Sequence, residues 1–180
     1  MQDPTQYVHD QIAALCPIVG VSLGSFSDTT TWAFTPTPAA TLAQEQAAQA
    51  WIAGFNIGQW QSQQSAIQSA QATYLAAISA GLSITSTSTP ALNSIYGVDT
   101  NSENKLAAIV TKISAGLGLP GGGATMQYPS ISGNFVAVNP AQITAIAAAV
   151  GNYIYALDVT LQTIQNGGSA TWPTATATIP

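Results

Sequence analysis

Few residues in this chain could do chemistry. Gly20 to Gly24 reads GVSLG. That is the G-x-S-x-G pattern in which a strand-to-helix elbow exposes a nucleophilic serine. Ser22 would need a histidine as base and a carboxylate to orient it. The sole histidine, His9, lies upstream beside Asp10. Neighbours one apart on a helix do not face each other, so this pair suits a proton relay badly. The segment after Gly24 is polar and leads into a second apolar alternation rather than a helix. The spacing therefore predicts a hairpin, with Ser22 an ordinary strand serine and no catalytic residue assigned.

The glycine run from Gly116 to Gly123 invites a phosphate reading. A phosphate loop needs Gly-Lys-Ser/Thr opening a helix, because the lysine and the helix N-terminus hold the anion. Here the glycines follow a helical pattern and carry no lysine, so they read as helix terminator and hinge. One histidine, one cysteine and seven scattered acids make no metal-ligand cluster. Asp99 and Glu103 lie close in sequence, but both suit a helix start. No metal and no cofactor is expected. Cys16 has no partner for a disulfide and reads as a small buried hydrophobe. Trp32, Trp51, Trp60 and Tyr74 fall at core spacing. Tyr128, Tyr155 and Trp172 are the candidates for an exposed stacking surface, for sugar or for protein.

Composition narrows the class further. Charged residues are 5% of the 180 residues, against about 25% in ordinary domains. Arginine is absent, Lys105 and Lys112 are the only lysines, and the net charge is −5. Such a chain cannot neutralise a phosphate backbone, which excludes nucleic acid as partner. It is equally unsuited to anionic membrane surfaces. The sequence shows no cationic start with an apolar run and no stretch approaching the ~20 residues of a membrane span. A cytoplasmic site of synthesis is the expectation. An amide- and hydroxyl-rich surface of low charge suits burial against other protein in an assembly. Organismal composition bias is the other reading.

The elements follow from periodicity and caps. Tyr7, Val8, Ile12 and Leu15 form one face of a helix ended by Pro17. Val19, Val21 and Leu23 alternate as a strand face. Residues 25–31 (SFSDTTT) form the connection, and Trp32 and Phe34 lie on the return strand. Thr41 and Gln44 have capping-box spacing for a helix burying Trp51, Ile52 and Phe55. Asn56 to Gly58 break or bend it. In residues 57–82, Ile57, Trp60, Ile67, Tyr74 and Ile78 lie on a 3-4 seam with Gln64 and Gln71 in the two remaining places. The seam fits an oligomeric coiled coil, possible as a trimer, with register set by those amides. The stripe is short and lacks charged flanks, so it fits better a single helix on a domain core, with Gln64 and Gln71 at its edge.

Residues 83–99 read as a Ser/Thr-rich linker. Thr100 and Glu103 have box spacing for a helix carrying Leu106, Ile109, Val110, Ile113 and Leu117. Residues 124–128 and 134–138 read as a short antiparallel pair. Asn139, Pro140 and Gln142 start a long helix with Ile143, Ile146, Val150, Tyr153, Ile154, Leu157 and Leu161 inward. Residues 167–180 form a Thr/Pro-rich tail, extended or pinned by Trp172. The predicted fold is α+β, mostly helical, with two small antiparallel β-hairpin elements. Its segments are 1–56, 57–82, 83–99, 100–166 and 167–180.

Two stretches resemble proteins of tailed bacteriophages. From Cys16 to Phe55, the matching positions are Gly20, Val21, Ser22, Gly24, Thr31, Trp32, Phe34, Thr41, Gln46, Ala47, Ala48 and Phe55. This arrangement of strand, return strand and capped helix is similar to a segment of phage tail proteins. From Trp60 to Ile164, the order of a helix, the start VDTNSENKLAAI, and FVAVNPAQITAIAAAVGNYIYAL resembles a domain of uncharacterised function in tail and tail-fibre-associated proteins. The resemblance implies a structural virion component without enzymatic activity. Its partners would be other virion proteins and copies of itself, with a host surface receptor possible. Its place would be the virion, in the tail, after assembly in the host cytoplasm. The alternatives are a head fibre or decoration protein, or a receptor-binding module for cell-surface glycan.

Overall fold

The computed structural model describes residues 3–180. Helices make up 52% and strands 21%, so the fold is α+β and mostly helical. The chain divides into two compact units, one ending at Gln68 and the other running Ser69–Pro180.

The first unit contains α1 (Pro4–Leu15), β1 (Ile18–Ser25), β2 (Asp28–Pro36), α2 (Leu42–Gly54) and the start of α3 (Ile57–Ala80). Asp3 caps α1 by accepting the Gln6 N–H at 2.8 Å, and Pro4 takes the first helical position. The predicted box of α2 is present, with Thr41 N–H donating to Gln44 Oε1 at 2.9 Å. Asn56 breaks the chain between α2 and α3. Its Oδ1 accepts the Gln59 N–H at 2.9 Å and so caps the second helix. Val8, Ile12, Cys16, Trp32, Ala48 and Ile52 form the buried core of this unit.

The hairpin differs from expectation in phase. Val19 is 72% exposed, while Ile18, Val21 and Leu23 pack against the core. Ile18 pairs with Pro36 and Gly20 with Thr35, so Val19 is the extra residue of a bulge. One inserted residue moves the following side chains to the other face. The connection is also tighter than residues 25–31. Only Phe26 and Ser27 form the turn, and the threonines belong to β2. Thr31 Oγ1 anchors it, donating to Asp28 O at 2.7 Å and accepting the Ser25 N–H at 2.8 Å.

The second unit contains the end of α3, β3 (Leu82–Ser86), a 3-10 turn (Pro90–Leu92), β4 (Ser94–Tyr96), α4 (Thr100–Ser114), β5 (Met126–Pro129), β6 (Phe135–Val138), α5 (Pro140–Gln165) and β7 (Thr176–Ile179). The antiparallel β5–β6 pair is the second predicted hairpin. A three-stranded sheet in the order β4-β3-β7 was not expected.

Residues 83–99 are therefore not a linker. Leu82, Ile84, Leu92, Tyr96 and Val98 are each at most 1% exposed. Serines and threonines alternate with these apolar residues, and threonine suits the outer face of a strand. Buried Ser86 is satisfied, its N–H on Asn93 Oδ1 at 2.7 Å and its hydroxyl on Pro180 O at 2.8 Å. Residues 167–180 are tied into the same unit. β7 joins β3 in parallel, Ile84 opposite Ala177, with Ile179 buried. Trp172 packs half-buried on the same core.

Helix ends in this unit follow the chemistry of their caps. Asp99, one residue before the expected Thr100, caps α4, because its carboxylate accepts both the Asn101 and Ser102 N–H groups. Asn139 and Gln142 form the predicted box of α5. Both helices end in the same way. At α4, Gly116 N–H reaches Ile113 O and Leu117 N–H reaches Lys112 O. At α5, Gly167 N–H reaches Ile164 O and Gly168 N–H reaches Thr163 O. These are Schellman closures, which need a left-handed residue; Gly116 has φ 75° and Gly167 φ 82°.

By length and composition alone α5 is apolar enough to cross a membrane. This corrects the expectation that no stretch approaches a span. The scattered Asn152, Asp158 and Gln162 conceal the run. In the fold, its Ile143, Ile146, Val150, Tyr153 and Leu157 face the core.

The seam of α3 is used within the chain. Ile57 packs on the first core, and Tyr74 and Ile78 pack on the second. Gln71 is exposed, and Ala70 is buried in its stead. Both ends of the seam thus pack within the chain.

Candidate functional site

Ser22 sits exposed in mid-strand opposite Ala33, and the turn beyond leads to β2 rather than to a helix. His9 and Asp10 lie on α1, and His9 Nδ1 is 3.3 Å from Asp10 Oδ1. Adjacent helical residues thus do touch here, side by side at the surface. That carboxylate oxygen also accepts Gln6 Nε2 at 2.7 Å. No side-chain hydrogen bond among the described residues joins Ser22 to either group. Cys16 is fully buried, its Sγ 3.7 Å from Pro17 O. Burial, with the Glu45 charge adding, raises its thiol pKa and keeps it protonated.

The glycine run ends α4 and continues with Gly118, Gly121 and Gly122 in the left-handed region. Asp99 is engaged by its own helix. Ser102 Oγ donates to its Oδ2 at 2.6 Å, and this bond is the main cause that lowers its pKa. Glu103 lies in the first turn of α4, where the dipole favours it. Among the described residues no group of three or more His, Cys, Asp or Glu could hold a metal.

The exposed-aromatic surface is not assembled. Tyr128 is 5% exposed and stacks on Tyr96 at 6.2 Å. Trp172 packs on the core. Only Tyr155 stands in solvent.

The structure instead gathers aromatic rings in the first unit. Tyr7 lies 6.5 Å from Trp51, 6.0 Å from Phe55 and 5.7 Å from Trp60. Phe26 stacks on Trp32 at 5.5 Å and meets Trp60 edge-on at 5.2 Å. Such pairs add about 0.5–1.5 kcal/mol each beyond their buried area. The two central indoles differ. Trp32 Nε1 donates to Ser25 O at 2.7 Å. Trp60 Nε1 is buried with no partner, which costs about 1–3 kcal/mol.

One side of this cluster is an open groove of about 330 Å³. Tyr7, Trp51, Phe55 and Trp60 supply its rings, and Asn56, Gln59 and Gln63 its carboxamides. No family model, curated protein or solved structure matches the chain.

Core spacing assigned these aromatics to packing, and they do pack. The missed signal was the set of amides beside them. Asn56, Gln59 and Gln63 recur at three- and four-residue steps, one face of a helix that also carries Trp60. Trp51 and Phe55 stand four apart at the end of α2.

Proposed function

We propose that this protein is a non-enzymatic structural component of a bacteriophage virion, in the tail or tail fibre, working through protein–protein contact. The observation that carries this reading is the surface. Charged residues are only 5% of the chain, so the surface is made largely of amides, hydroxyls and apolar atoms. Such a surface costs little to desolvate and suits burial against other protein in an assembly. The resemblance of residues 16–55 and 60–164 to phage tail proteins points the same way.

The natural partners are other virion proteins and further copies of this chain. The ends of the α3 seam already serve the cores, so self-association would use exposed apolar positions such as Leu75 and Ile131. The test is immuno-electron microscopy of purified particles with antibody to this protein, together with light scattering of the purified chain. Label on the tail supports the proposal. Absence of the protein from particles overturns it. A monomer at micromolar concentration removes self-association and leaves only foreign partners.

A further inference from the structure

We propose that the groove formed by Tyr7, Trp51, Phe55 and Trp60 with Asn56, Gln59 and Gln63 binds a neutral saccharide. Three observations fix the ligand class. First, no charged side chain lines the groove. A phosphate or carboxylate seated there would lose water and find no counter-charge.

Second, the lining alternates ring faces with carboxamides. Aromatic faces pack against the apolar C–H face of a pyranose, while its rim presents hydroxyls. A hydroxyl both donates and accepts, and so does a carboxamide. A proline-rich strand offers acceptors and few donors, so it would engage only the N–H half of each amide. The side chains of Gln59 and Gln63 make no hydrogen bond among the described residues, and both are exposed. They are available to a ligand.

Third, Trp60 is 7% exposed, lines the groove and keeps an unpaired indole N–H. That N–H presents no surface to solvent, so a sugar hydroxyl reaches it only if the ring shifts on binding, and the indole signal reports whether it does. At about 330 Å³ the groove holds one or two sugar rings. This site differs from the surface of Tyr128, Tyr155 and Trp172, and it stands whether or not the chain belongs to a virion.

The test is a 1H–15N titration of the whole chain with maltotriose, galactobiose and N,N′-diacetylchitobiose, with decaproline and a sialylated lactose as comparison probes. Trp60→Phe assigns the indole signal. The expected result is a millimolar or tighter neutral sugar that shifts the Trp60 indole and the Gln59 and Gln63 side-chain signals. The double variant Gln59→Ala, Gln63→Ala should keep the fold, since both side chains are exposed. It should weaken binding about tenfold or more. Three outcomes overturn the proposal: none of the three sugars moves these signals, the double variant binds unchanged, or decaproline or the sialylated sugar binds in preference.

Discussion

Tyr74 on α3 donates its phenolic hydrogen to the Asp158 carboxylate on α5 at 2.8 Å, across 84 residues of sequence. Together with the packing of Ala77 and Ile78 on the same core, this bond fixes the second half of α3 within its unit. Tyr74→Phe should lower unfolding stability by about 1 kcal/mol, the net worth of such a bond at a partly exposed site. Asp158→Ala should cost a similar amount. Urea titration of both single variants and the double variant checks the coupling. Full additivity would show that the two side chains act independently.

Alkaline pH should destabilise the chain. The Asp158 hydrogen bond is the main cause that raises the Tyr74 pKa above its ordinary 10.0, and burial raises those of Tyr96, Tyr128 and Tyr153. A folded pKa above the unfolded one stabilises fully below the unfolded value, and that stability is lost as pH rises through the folded one. Stability should hold up to pH about 10 and then fall. Urea midpoints across this range measure it. Tyr74→Phe should make the fall shallower; an unchanged slope would contradict the assignment to this residue.

Two left-handed glycines should respond differently to alanine. Gly81 has φ 78°, and a Cβ there would run into the Ile131 side chain and lie 2.6 Å from Tyr96 O. Gly116 has φ 75° with open space around it. Gly116→Ala should cost only the conformational penalty, about 1–2 kcal/mol. Gly81→Ala should cost clearly more, because backbone and side chain must both move. Equal melting temperatures for the two variants would contradict the crowding at Gly81.

Thr37 offers a stabilising change. Its Oγ1 is buried without a partner. Thr37→Val keeps the shape and removes the unpaired hydroxyl. Stability should rise by about 1 kcal/mol. Calorimetry of the variant decides it, and a loss of stability would mean that the hydroxyl is satisfied in solution.

How far the fold could be read in advance depended on whether a local rule set each element. Asn139, Pro140 and Gln142 define the start of α5 by their own hydrogen bonds, so sequence located it. Thr41 and Gln44 did the same for α2. Val19 misled because its direction depends on the pairing of Ile18 and Gly20 with β2, which no local pattern encodes. Ser83 to Ser86 looked like linker because the partners that make it a strand, β4 and β7, lie elsewhere in the chain. The aromatic groove was half legible. Residue types and spacing pointed to buried faces, but not to rings from three helices meeting, to one side staying open, or to an unpaired Trp60 N–H. The same gap separates Tyr128 and Trp172, chosen as exposed, from their places in and against the core.

The parallel pairing of β3 with β7 also sets a schedule. Thr178 follows Thr85 by 93 residues. A ribosome adding about 5–20 residues per second leaves the β7-facing edge of β3 without its strand for roughly 5–20 s. Antiparallel β4 follows within ten residues, but a two-stranded pair alone is marginally stable. Through that interval the bare edge of β3 is open to a strand from a neighbouring nascent chain. The yield of correctly folded protein should therefore depend on how closely ribosomes follow one another on the message.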